Sequence, residues 1–164
     1  MRSFKNIFLL LLIFIPATAY IGKDHQPSVG LSPGSTAPEI QLNNTGKELL
    51  SSSRGHLVLL QFWAAFDAES RMNNLLMYNT ISRHHAKQVQ MVSFSFDTQK
   101  LIFDETVRTD GISTSSQFFV DEGQNSQVYK NYHLSNGYAN YLIDTAGVIL
   151  AKDLTVSQLA NYLK

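Results

Sequence analysis

Leu57-Val58-Leu59-Leu60-Gln61-Phe62-Trp63-Ala64-Ala65-Phe66-Asp67-Ala68-Glu69-Ser70-Arg71 is the stretch that decides the fold. Its first seven residues form a nearly continuous apolar run of strand length, which predicts a strand in the middle of a sheet, buried on both faces. From Ala68 to His85 no Gly or Pro interrupts the chain. Met72, Leu75, Leu76, Asn79 and Ile81 fall there mostly at three- and four-residue spacing, which predicts an amphipathic helix with those residues as its apolar face.

Downstream, Gln90 to Phe96 reads as a second strand, Thr98 to Thr109 as a helix stopped by Gly111, and Gln117 to Val120 as a short strand. Asn125 to Tyr132 reads as a short helix. Tyr138 to Ile143 and Val148 to Lys152 read as strands joined by the tight turn Asp144-Thr145-Ala146-Gly147. Val156, Leu159, Ala160 and Leu163 share one face of a terminal helix. Strand–helix alternation closed by a hairpin and a helix predicts a three-layer α/β sandwich with a central mixed sheet.

Upstream, Arg2 and Lys5 precede an apolar run from Ile7 to Ile15 and then Pro16-Ala17-Thr18-Ala19. A basic start, a run too short to span a bilayer and an A-x-A site predict a signal peptide over 1–19, the alternative being an uncleaved N-terminal anchor. With cleavage after Ala19 no stable membrane anchor remains. Residues 20–36 carry Gly22, Pro27, Gly30, Pro33 and Gly34 and read as linker, so the folded domain is expected over 37–164. The chain has 164 residues, 44% of them hydrophobic, enough for one domain with a sizeable core. Thirteen basic and thirteen acidic residues leave no positive field to hold a nucleic acid. There is no cysteine, so an exported chain must be held by its core alone and has no thiol nucleophile.

Four phrases in this order resemble the thioredoxin-like proteins of the TlpA and ResA type, related to the alkyl hydroperoxide reductase superfamily. They are Pro33 to Leu42, Ser53 to Ala64, Val92 to Asp97 and Tyr141 to Gly147, and the resemblance spans about residues 33–164. It implies a thioredoxin-like fold and, because such proteins belong to bacterial envelopes, secretion to the periplasm of a Gram-negative bacterium. In that family Trp-Cys-x-x-Cys follows the first core strand at a helix N-terminus, where free N–H groups and the helix dipole stabilise a thiolate. The resemblance places Asp67 at the nucleophilic cysteine and Ser70 at the resolving one. Asn73 stands where the family has a buried glutamate, Leu75 where it has a proline, and Tyr138 where it has the cis-proline that meets substrates. Thiol–disulfide chemistry therefore has no groups to run on, and the expectation is a protein without catalytic residues.

Two readings of Asp67 stand side by side: an anion fixed for a cationic or donor group, and an ordinary N-cap. Glu69 and Arg71 in the same turn read as a solvated face. Trp63, Phe66 and Tyr138 form an aromatic rim if the cleft stays open, or Tyr138 fills the space left by the lost groups. Together Trp63, Phe66, Asp67, Glu69 and Tyr138 are the candidate binding cleft. His84 and His85 point about 100° apart on a helix and do not converge on a metal; His56 and His133 are given no role, and no cofactor is expected. The leading functional expectation is a module that holds a peptide or an envelope protein in the former active-site cleft. The alternative is an oxidoreductase role by relation, with thiols supplied by another protein. A carboxylate hydrolase built on Asp67 and Glu69 lacks any Ser–His partner or oxyanion motif.

Overall fold

The computed structural model describes residues 27–40, 49–84 and 88–163. The expected signal peptide and residues 20–26 of the expected linker lie outside them. The elements in chain order are α1 (Leu49–Ser52), β1 (Leu57–Trp63), α2 (Ala68–Arg83), β2 (Val89–Ser95), α3 (Lys100–Asp110), β3 (Gln117–Phe119), α4 (Gln127–Asn131), β4 (Asn140–Ile143), β5 (Ile149–Lys152) and α5 (Val156–Tyr162). They build an α/β fold on one five-stranded sheet of order β3-β2-β1-β4-β5. β1 is the middle strand, parallel to β2 on one side and antiparallel to β4 on the other, so the sheet is mixed.

Side chains alternate across the sheet, and β1 therefore divides the core in two. Val58, Leu60 and Phe62 point toward α4, where Phe62 packs against Phe94, Phe96, Tyr132 and Tyr141 with ring centroids 4.7–6.2 Å apart. Such ring pairs add about 0.5–1.5 kcal/mol each beyond the area they bury. Leu59 points the other way, onto Met77 of α2 and Leu159 of α5. Trp63, on the same side, closes on Phe103 and Val107 of α3. The terminal helix buries Leu159 and Leu163 as its spacing predicts, and a capping box between Thr155 and Gln158 starts it.

Two expectations fail. The predicted apolar face of α2 is not the face it buries: Ser70, Asn74, Met77 and Thr80 are inside, while Met72 is 53% and Leu76 41% exposed. Leu75 and Ile81 are partly buried at the flanks. The reason lies underneath the helix, where β2 and β3 present Ser93 and Gln117. Asn74 Nδ2 donates to Gln117 Oε1 at 3.1 Å and Ser93 Oγ donates to Asn74 Oδ1 at 2.6 Å, so the polar groups satisfy one another and need no apolar cover.

The end of the stretch read as linker is also part of the fold. Thr36 bridges Val148, Gly34 N donates to Ile149 O at 2.8 Å, and Leu31 packs on the core. Pro and Gly there shape a turn, with Gly34 at φ 87, that pairs along the final hairpin.

Candidate functional site

The chain leaves β1 at Trp63, turns through 64–67 and enters α2, and three side chains fix that turn. Asp67 sits in extended backbone (φ −98, ψ 100) and its Oδ1 accepts the N–H of Ser70 at 2.8 Å, which makes it the N-cap of α2. Ser70 is buried; its hydroxyl donates to Asp67 O at 3.2 Å and accepts the Ala64 N–H at 3.3 Å. Asp97, two residues past the end of β2, is buried as well, with Oδ1 accepting the Ala65 N–H at 2.7 Å and Oδ2 accepting the Ser95 hydroxyl at 2.7 Å. Sequence reasoning missed Asp97. Its signal was there, a carboxylate closing the apolar run of β2 beside the turn after β1.

Opposite this turn lies the loop 133–139. Gly137 takes φ 122, ψ 162, a conformation open to glycine and strained for other residues. Tyr138 is half-buried and stacks on Phe96 at 5.9 Å with planes 21° apart. Burial first, then the neighbouring Tyr129, Asp67 and Asp97, push its phenol up to about 12. Among the described residues there is no cis peptide bond.

A cavity of about 490 Å³ remains between the two sides. Asp67, Glu69, Ser70 and Asn73 line it from α2, and His133, Asn136 and Tyr138 line it from the loop. Its far wall is built by Leu31 to Pro33, by Tyr132 and Tyr141, and by Lys152 and Asp153 at the end of β5. His133 (φ 53) and Asp153 (φ 52), the two non-glycine residues with positive φ among those described, both line this cavity.

Trp63 is not part of any rim. It is 0% exposed and packs on Phe103 at 6.1 Å, because its position in β1 turns it to the α3 side of the sheet. Phe66, by contrast, is 65% exposed beside Asp67. Glu69 is exposed, but Arg71 is not simply solvated: its Nε and Nη2 donate to Asp110 at 3.0 and 2.7 Å, tying α2 to the end of α3. That pairing raises the guanidinium pKa further. His84 is an exposed C-cap whose Nδ1 lies 2.9 Å from Thr80 O; His85 lies outside the described residues. No cluster of metal-ligating side chains occurs among the described residues. No helix among them is long and apolar enough to cross a membrane.

No protein-family profile matches this chain. It is similar to a solved thioredoxin-like protein from Parabacteroides distasonis, at 38% identity over 82% of this chain and 96% of that one, with a TM-score of 0.71. A solved thiol-disulfide oxidoreductase from Bacteroides fragilis is similar at 25% identity and a TM-score of 0.66, over 79% of this chain and 97% of that one. The thiol-disulfide oxidoreductase ResA of Oceanobacillus iheyensis is 24% identical over 98% of this chain and 86% of its own length.

Proposed function

Because this chain belongs to the thioredoxin-like proteins, a fold whose similar members include thiol-disulfide oxidoreductases, yet holds no cysteine, we propose that it is a binding module. The former active-site cleft takes a peptide or an extended segment of another protein. Exchange between thiols and disulfides proceeds by attack of a thiolate on sulfur, and neither Asp67 nor Ser70 can make that attack. The observation that carries the reading is the cavity of about 490 Å³ whose opposing sides bear Asp67 and Ser70 on one hand and Tyr138 on the other. By the resemblance of the surrounding phrases, these are the residues that stand where the family keeps its cysteines and its proline. A half-buried tyrosine, an exposed Phe66 nearby and convergent polar groups suit a bound chain better than a closed core. The apolar run 7–15 followed by Ala17 and Ala19 supports export, and the proposed place of work is outside the cytoplasm, in the bacterial envelope.

The test is titration of the ¹⁵N-labelled chain with a pool of extended, unstructured peptides, alongside an insulin-reduction assay. Shifts confined to amides of 67–73 and 133–139, with no turnover of insulin, are expected. Shifts elsewhere only would move binding to another surface, and turnover would restore the oxidoreductase reading.

A further inference from the structure

Resting on that reading, we infer that the occupant of the cleft is a cationic segment, an extended peptide bearing lysine or arginine side chains. The whole chain is charge-balanced, with thirteen residues of each sign, so any surplus at one place belongs to that place. The cavity has such a surplus: Asp67, Glu69 and Asp153 line it, against the single ammonium of Lys152 and the imidazole of His133. Lys152 is moreover engaged, its Nζ lying 5.7 Å from the centroid of the Tyr141 ring.

A second observation is independent of charge. Tyr141 belongs to the wall of the same cavity, is 0% exposed, and its hydroxyl has no hydrogen-bond partner among the described residues. Buried hydroxyls are ordinarily paired, and one left over in a cavity wall marks polar capacity that the fold does not use. Tyr132 and Tyr138 line the same cavity, so carboxylates and tyrosines converge on one space. Tyr132 and Tyr141 are buried, so it is the half-buried Tyr138 that adds a reachable ring to the carboxylates, and the two together attract ammonium and guanidinium groups. The same carboxylates repel an acidic segment, which gives discrimination as well as affinity. Asp67 can serve although it caps α2, since the cap uses Oδ1, one of its two oxygens.

The probes are acetylated, amidated heptapeptides Gly-X-Ala-X-Ala-X-Gly in which X is lysine, norleucine or glutamate, titrated into the ¹⁵N-labelled full chain at low and high salt. The expected result is that the lysine peptide shifts amides of 67–73 and 133–139 and binds about tenfold more tightly than the norleucine peptide. High salt should erode that advantage. Asp67→Asn, Glu69→Gln and Asp153→Asn combined should abolish it. Asn still caps a helix and tolerates left-handed backbone, so these changes remove charge and keep the fold. Equal binding of the lysine and norleucine peptides overturns the cationic occupant and leaves the cleft as a binding site. A lysine preference that survives the triple substitution also overturns it. Absence of shifts in the cleft with every peptide overturns both this inference and the function it rests on.

Discussion

Asp97 is the residue whose loss should cost the turn before α2 most. It is buried, and its two oxygens accept the Ala65 N–H and the Ser95 hydroxyl, each at 2.7 Å. Asp97→Ala removes both acceptors. Bonds to a charged acceptor contribute about 1.5–3 kcal/mol each. Ala65 is only half-buried, so water repairs part of its loss; Ser95 is 0% exposed, so its hydroxyl is stranded. The sum is about 3 kcal/mol of stability, counting one bond in full and the other in part. Asp97→Asn keeps an amide oxygen for Ala65 and offers an N–H to the Ser95 oxygen, which already accepts the residue-97 N–H at 3.2 Å. One proton of Ser95 then goes unpaired, at a cost of about 1 kcal/mol. Urea unfolding followed by circular dichroism reads both. With a slope near 2 kcal/mol/M the midpoint should fall by about 1.5 M for the alanine variant and about 0.5 M for the asparagine variant. An alanine variant within about 0.5 M of the parent, or an asparagine variant worse than alanine, would refute the claim that this carboxylate anchors the turn.

Asp67→Ala should cost about 1 kcal/mol through the lost cap and Asp67→Asn only a few tenths, measured as thermal midpoints; equal losses would mean that the charge and not the cap stabilises α2. At alkaline pH the protein should weaken. Phenols of the unfolded chain ionise near pH 10, whereas burial holds Tyr138 and Tyr141 protonated up to about 12 and raises Tyr132 as well. Over that window the native state binds more protons, so stability is full below pH 10 and falls as pH rises toward 12. The fall is about 1.4 kcal/mol per pH unit for each such tyrosine, less for half-exposed Tyr138, which water screens. Urea midpoints that stay level from about pH 9 to 11.5 would contradict it.

β1 was legible because its apolar run is long and interrupted by Gln61 alone, and such a run suits a strand covered on both sides. The existence of α2 was equally legible, but not its inward face. Periodicity assumes that the surface beneath a helix is apolar, and here Ser93 and Gln117 supply a polar one. Trp63 was misread for a related reason: a residue at the end of a strand belongs to whichever layer its parity selects, and that layer is α3. The Asp67 side of the cleft could be read because it is contiguous with β1. Its far wall could not, since Leu31 to Pro33 and Lys152–Asp153 meet only after Thr36 pairs with Val148 across more than a hundred residues of chain.

The amide and hydroxyl chain under α2 gives that helix a single seat. A slide by one turn, about 5.4 Å, or a rotation by one residue would leave Asn74, Ser93 and Gln117 facing groups that cannot answer them. Apolar side chains at those positions could hold the helix as firmly, but they would accept neighbouring seats nearly as well. Alignment and adhesion are thus supplied by different atoms, and the position of Asp67 at the head of the helix is set from about two turns further along it.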